Sequence, residues 1–247
     1  MGDPLKTVLD QADALLKRWQ ALLPLAPDAL AKLRQHWDVI HTYNSNAIEG
    51  NTLTLGETKA VLLDGITISG KPLREILEAT NHREAMGLLY RLAGSRSPVT
   101  EREILDLHRI ILTGIQSDDA GRYRTVGVRV AGSKHVFPNA AKVPALMSDY
   151  VTGISSEGDH PIRIAARAHY RFVAIHPFAD GNGRTARLLM NLFLMRSGYP
   201  PACLPIERRG EYYDLLEAAH NAGTERFELF IAECVRDSLE DALQGLE

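Results

Sequence analysis

Residues 176–187 read HPFADGNGRTAR. Their types and order suit chemistry on phosphates. Gly181 and Gly183 let the main chain approach a ligand closely and take conformations closed to other residues. Successive N–H groups in such a turn form a nest for an anion. A helix opening near Arg184 adds its unpaired first-turn amides and the positive end of its dipole. Arg184 and Arg187 are three apart, share a helix face and can grip anionic oxygens together. Asn182 adds an amide donor. The combination is a cradle for two or more phosphates. Asp180, just before it, is a poor neighbour for phosphate unless a cation intervenes, and Mg²⁺ held by one carboxylate plus phosphate oxygens resolves the conflict. His176, with an ordinary pKa of about 6.5, is a base for work near neutral pH. Pro177 stiffens the turn and Phe178 anchors it in the core. A base beside a metal–polyphosphate cradle means phosphoryl or nucleotidyl transfer.

Each piece alone is weak. A His-Pro is usually a turn, a Gly-Asn-Gly usually a loop, and an arginine at position 187 usually a solvated helix charge. Their order within twelve residues is what makes coincidence improbable.

The surrounding elements are mostly helical. Val8, Ala12, Leu15, Leu16, Trp19 and Leu23 recur at three-to-four spacing and predict an amphipathic first helix. Pro27 opens a second, with Leu30, Leu33, Trp37 and Ile40 on one face. Thr54–Glu57 and Thr100–Glu103 are capping boxes that start helices running to about Gly65 and Gly114. Pro72 starts another, residues 161–175 and 184–197 flank the glycine-rich turn, and two more follow at about 209–221 and 225–243. One stretch departs from this pattern. In RTVGVRVAGSKHVFPN, Val126, Val128 and Val130 alternate and a turn follows, which predicts a β-hairpin leaning on the helices, either a structural arm or a flap over a site.

The chain has 247 residues and a formal net charge of −3. That is one ordinary domain's worth of chain, without the basic excess that phosphate-backbone binding needs, so nucleic acid is not the expected partner. Cys203 and Cys234 match no metal spacing and fit a reducing compartment. The start has an early acid and no long apolar run, so neither a signal peptide nor a membrane span is expected, and the expected location is cytoplasmic.

The motif resembles the Fic-family signature HPFx(D/E)GNGRxxR at every specified position. GRYRTVGVRVAGSKHVFP resembles the family's flap, and SNAIEGN (residues 45–51) its inhibitory motif, (S/T)xxxE(G/N). RLLMNLFLMRSGYPP and EYYDLLEAAH resemble animal Fic enzymes of the endoplasmic reticulum, although the first forty residues lack the tetratricopeptide repeats and membrane anchor of those enzymes. The resemblance covers roughly residues 40–240. It implies an all-α helical bundle with a β-hairpin flap, divided into an N-terminal region, 1–95, that carries the inhibitory motif and a catalytic core with C-terminal helices, 96–247.

The activity it implies is transfer of AMP from ATP to a Ser, Thr or Tyr hydroxyl of a target protein, with removal of AMP as a second activity. His176 would be the catalytic base and Asp180 the Mg²⁺ ligand. Asp180, Gly181, Asn182, Gly183, Arg184, Thr185, Ala186 and Arg187 would bind the nucleotide, Arg187 at the γ-phosphate. Val130, Ala131, Gly132 and Ser133 of the flap would cover it, and Tyr212, Tyr213 and His220 would line the adenine end. His220 stands where relatives carry Asn. Val130, Lys134 and His135 would hold the target as an added strand. Ser45, Glu49 and Gly50 would form the inhibitory turn, with Glu49 paired in bidentate fashion to Arg187. Relatives often form homodimers. Other Fic-type transfers (UMP, phosphocholine, phosphate) and an inactive regulatory module are the alternatives. Phosphate-transferring members carry Lys at the position of Gly183, which disfavours that chemistry here.

Overall fold

The fold is a helical bundle, in a computed structural model that describes residues 3–95, 97–155 and 158–246. Helix α1 spans Pro4–Ala21, with Asp3 as its N-cap accepting from the Leu5 amide. Helix α2, Pro27–Ile48, opens on its proline and delivers Glu49 as its C-cap. Both capping boxes form, Thr54 with Glu57 and Thr100 with Glu103. The first starts α3, Leu55–Lys59, which widens into a π turn at Ala60–Asp64 before Gly65 ends it in the left-handed region. The second starts α5, Glu101–Leu112. Between them α4 covers Leu73–Ala93, with Pro72 at its N-cap.

Helix α6, Val143–Ser155, is an addition to the elements expected from sequence. Its buried Val143, Met147, Tyr150 and Ile154 have helical spacing, but they follow directly on the valine-rich stretch and carry no start signal as clear as a capping box. Helices α7, Pro161–Ile175, and α8, Asn182–Arg196, flank the glycine-rich turn, and α9, Arg209–Ala222, and α10, Glu225–Gln244, close the bundle.

Two apolar cores meet at α7 and α8. One gathers Trp19, Trp37, Ile162, Met190, Phe227 and Phe230, from α1, α2, α7, α8 and α10. The other gathers Met86, Leu107, Met147, Phe172, Phe178 and Leu189, from α4 to α8 and the turn itself. Residues 1–95 and 96–247 thus share their cores. The α7–α8 turn is pinned from both sides, which is what a site of fixed geometry needs.

The expected β-hairpin is present only as a folded-back loop. Among the described residues no strand is formed. The Ser133 amide donates to Val130 O at 3.1 Å, and Gly132 turns the chain with φ +84°. The returning arm keeps the period of two, with Ser133, His135 and Phe137 half-buried and Lys134 and Val136 exposed. Val126, the first of the alternating valines, is exposed. The arms are held by the side chains of Arg124, at the base of the stretch, and Glu217 of α9 instead of by a ladder with each other. No helix among the described residues is long and apolar enough to cross a membrane.

Candidate active site

His176 follows the last residue of α7 and takes φ +51°, the one non-glycine with positive φ among the described residues. A side chain there is strained and persists only where its surroundings over-determine it. Its amide donates to Phe172 O at 2.9 Å, and its carbonyl accepts from Arg124 Nε at 2.7 Å. Nδ1 lies 3.3 Å from Val173 O, an acceptor, so Nδ1 carries the proton and Nε2 keeps its lone pair. Burial drives the pKa of His176 down to about 4, aided by Arg124 and opposed by the Val173 bond, Glu49 and Asp180. The ring is therefore a neutral base at pH 7.

Phe178 is buried and stacks on His108, with centroids 3.5 Å apart. His108 Nδ1 accepts from the Gly121 amide at 2.9 Å, so Nε2 bears the proton and donates to Asp180 O at 2.9 Å. Burial first of all lowers His108 to about 4, which keeps this tautomer neutral. Gly181 then enters α8 at φ +76°, and a Cβ on it would press on the His108 ring. The loop is thus shaped by a histidine of α5 that the sequence motif does not contain.

Asn182 corrects an expectation. Its side chain is not an amide donor for phosphate. Nδ2 donates to Phe178 O at 2.9 Å and Oδ1 accepts from the Phe178 amide at 3.0 Å, so the side chain closes the loop. Thr185 is likewise spent, its hydroxyl donating to Gly181 O at 2.9 Å, and Ala186 is buried in the second core. What these positions offer a ligand is the N-terminal backbone of α8, whose N-cap Gly181 supplies no side-chain cap.

Arg184 is 2% exposed, yet its Nε has no hydrogen-bond partner among the described residues. Its nearest carboxylates, Glu78 and Asp180, lie at 3.5 and 3.6 Å. A buried guanidinium this loosely held has the chemistry to seat anionic oxygens. Asp180 gives Oδ1 to the Gly181 amide at 2.6 Å and Oδ2 to Arg74 of α4 at 2.9 Å. No group of three or more His, Cys, Asp or Glu among the described residues could hold a metal alone. A cation here would rely on Asp180 and on ligand oxygens, the usual habit of Mg²⁺.

Arg187 is 4% exposed and enclosed by α2 and α9. Nε donates to Ser45 Oγ at 2.9 Å, while Nη2 donates to Ser45 O at 2.8 Å and to Glu49 Oε1 at 2.8 Å. The expected bidentate pair with Glu49 is therefore a single bond, because Ser45 takes the guanidinium's other edge. Burial works against the charge of Arg187, but Glu49 and the tyrosine oxygens outweigh it and raise its pKa. Glu49 also covers Gly183, where an added Cβ would run into Glu49 Oε1. Gly50, at φ +98°, ends the helix behind it. On the other side, Arg209 Nε donates to Ile48 O at 2.7 Å and Tyr213 OH to the same oxygen at 3.4 Å.

A cavity of about 540 Å³ adjoins the turn and Glu49, while Arg184 and Arg187 lie outside its lining. His176, Asp180, Gly181, Asn182, Gly183 and Glu49 line one end. Val130 to Ser133, Tyr212, Tyr213 and His220 line the rest. Tyr212 is 2% exposed and belongs to the first core, with its hydroxyl on His169 Nε2 at 3.0 Å. It forms a wall more than a binding face. His220 stacks on His135, with centroids 3.7 Å apart, and accepts or donates at Nδ1 with Tyr170 OH at 3.0 Å. The flap tip is latched to α9 by Glu217, which accepts from Ser133 Oγ at 2.6 Å and from the Lys134 amide at 2.8 Å.

Comparisons with known proteins agree with this arrangement. A model of the Fic/DOC family matches residues 98–194. Over the full fold, the chain superposes on Fic-1 (aa134–508) from C. elegans with TM-score 0.88 and 34% identity, covering 98% of this chain and 72% of that one. A Fic domain containing signaling protein from Bacteroides thetaiotaomicron gives TM-score 0.87 and 30% identity, covering 95% of this chain and 97% of that one. The chain belongs to the Fic/DOC family. Among curated relatives, the protein adenylyltransferase Fic of Drosophila grimshawi is 38% identical over 215 residues, 86% of this chain and 44% of the relative. That of Drosophila melanogaster is 37% identical over the same length, with 43% of the relative covered. The chain thus spans less than half the length of these relatives.

Several residues of this Fic site were not singled out from sequence: Arg74, His108, Arg124, Arg209 and Glu217. Arg209 carried a signal, since it lies one helical turn before Tyr212 and Tyr213 on the same face. Arg124 and His108 carried none, because their partners are main-chain groups, which any residue type offers, and the ones in the α7–α8 turn lie 51 to 72 residues away.

Proposed function

We propose that this chain is a protein adenylyltransferase that keeps itself off through Glu49. The observation that carries the reading is the position of the Glu49 carboxylate. It touches Arg187 and lies against Gly183, at the mouth of an α8 N-terminus suited to phosphate. ATP and Glu49 compete for one place.

With Glu49 aside, the amides opening α8, Arg184 and Arg187 hold the triphosphate, Arg187 at the γ end. Asp180 would hold Mg²⁺ together with ligand oxygens, and the ion would supply positive charge against the phosphates. The adenine lies toward Tyr213, Glu217 and His220, under the flap tip. Nε2 of His176 takes the proton from a Ser, Thr or Tyr hydroxyl of a target protein. The oxygen forms a bond to the α-phosphorus, the bond from that phosphorus to the β-phosphate oxygen breaks, and pyrophosphate leaves. Gly183 supports AMP transfer over phosphate transfer, because no side chain there obstructs the cradle and turns the nucleotide round. The adenylyltransferase names of the relatives support the same choice. The unpaired arms of the flap suit an added target strand, bound through its main chain.

Removal of AMP is a second reading with its own support. Glu49 lines the same cavity as His176 and its side chain is 33% exposed, so it can reach a water there. Parallel incubation of Glu49→Gly with α-labelled and γ-labelled ATP tests the assignment. Label passes to protein from the α position alone if the reading holds. Label from the γ position would identify a kinase instead.

A further inference from the structure

Arg124 is buried and, among the described residues, has no carboxylate as a hydrogen-bonded partner. Its guanidinium is satisfied by carbonyls alone. Nε donates to His176 O at 2.7 Å, Nη1 to Val126 O at 2.9 Å, and Nη2 to Pro138 O at 2.6 Å and Ile175 O at 3.5 Å. Its own amide donates to Pro177 O at 2.9 Å. One residue therefore binds three consecutive carbonyls of the turn, 175 to 177, and the two ends of the flap.

The pattern has two consequences. First, His176 sits in the left-handed region, and the bond from Nε to its carbonyl is one of the few that hold the strained peptide in place. Second, the flap makes no strand pairing, so its arms are kept together at their base by the fork of Nη1 and Nη2. Phe137, on the returning arm, leans over the His176 ring with centroids 4.7 Å apart. The planar fork of arginine reaches carbonyls in three directions at fixed angles, which a lysine ammonium cannot reproduce.

We propose that Arg124 is a positioning residue that holds the base and the target-docking edge in one register, so that a strand laid on the flap presents its hydroxyl to His176. The inference rests on the adenylyltransferase reading above. Arg124 touches neither the phosphate cradle nor the adenine end. Its loss should spare nucleotide affinity while harming transfer.

The test uses Arg124→Lys and Arg124→Gln in the Glu49→Gly background. Melting temperature, ATP affinity by calorimetry, and kcat and KM for protein labelling from α-labelled ATP are read for each. The expected result is a folded protein with ATP affinity within about twofold of the parent. Its kcat falls on the order of 10²-fold, the scale of a small misplacement of reacting groups, and the KM for target rises. A parallel fall of ATP affinity and rate, unchanged transfer, or unfolding of both variants would overturn it. Absence of transfer in Glu49→Gly with Arg124 intact would instead remove the underlying activity.

Discussion

Glu49 Oε1 and Arg187 Nη2 are 2.8 Å apart, and the same arginine is held at its other edge by Ser45. The division of labour matters. A charge-assisted bond of this kind is worth about 1.5–3 kcal/mol, or roughly 10- to 10²-fold in the fraction of sites open to phosphate. Removing Glu49 frees one face of the guanidinium, while Ser45 keeps it oriented for an incoming phosphate. Ser45→Ala would leave the Glu49 contact and loosen the arginine, so it should not mimic loss of Glu49.

The depressed pKa of His176 predicts a wide acid range for transfer. Burial lowers it to about 4, so the neutral base survives well below the ordinary value of 6.5. The kcat of Glu49→Gly should stay flat from pH 8 to below pH 6, and a half-loss centred near 6.5 would contradict the assignment. The fold sets the lower limit. His41 and His169 are also lowered by burial, to about 4 and about 3. The folded state then binds fewer protons than the unfolded, so the stability they contribute is present above pH 6.5 and is lost as pH falls towards 4. Melting temperature should drop across that window.

Arg74 should compete with the metal. Its guanidinium holds Asp180 Oδ2 at 2.9 Å, but its side chain is 52% exposed. Pairs this exposed are worth at most about 1 kcal/mol, a few-fold in affinity. Arg74→Ala should lower the Kd for Mn²⁺ in the presence of ATP by about two- to fivefold, read by paramagnetic resonance, with little change in melting temperature. An unchanged or weaker Kd would mean that Arg74 does not stand in the metal's way.

Much of this arrangement was legible in the sequence, and the reasons differ by element. The capping boxes at Thr54 and Thr100 placed two helix starts because a cap is local chemistry. The order of His176, Asp180, Gly181, Gly183, Arg184 and Arg187 raised the expectation of a phosphate site because loop and helix N-terminus adjoin in the chain. Glu49 could be tied to Arg187 only through the family resemblance, since 138 residues separate them. The reading of Asn182 as a phosphate donor failed for a related reason. An amide side chain in a tight turn meets its own loop's main chain first, and nothing in the motif shows that Phe178 offers both partners. The flap misled in another way: alternating valines give the period of a strand, but pairing needs a partner edge, and here Arg124 and Glu217 supply the hold.

The Asn182 clip gives a stability prediction. Asn182→Ala leaves both main-chain groups of buried Phe178 without their partners. At about 1–3 kcal/mol for each group left unsatisfied, the melting temperature should fall by roughly 4–15 °C for a chain of this size. Differential scanning calorimetry of the variant against the parent reads it directly. A fall of less than about 2 °C would show that the turn is held without the clip.

The central claim is that Glu49 occupies the place of the ATP phosphates and thereby restrains AMP transfer. The most direct measurement is protein labelling from α-labelled ATP, at matched Mg²⁺ and ATP, by the parent chain, Glu49→Gly, and Glu49→Gly with His176→Ala. The account predicts labelling at least about 10-fold above the parent in Glu49→Gly, in line with the strength of the lost bond. It predicts a drop of roughly 10²- to 10⁴-fold when the base is also removed. Equal labelling by the parent and Glu49→Gly would contradict it.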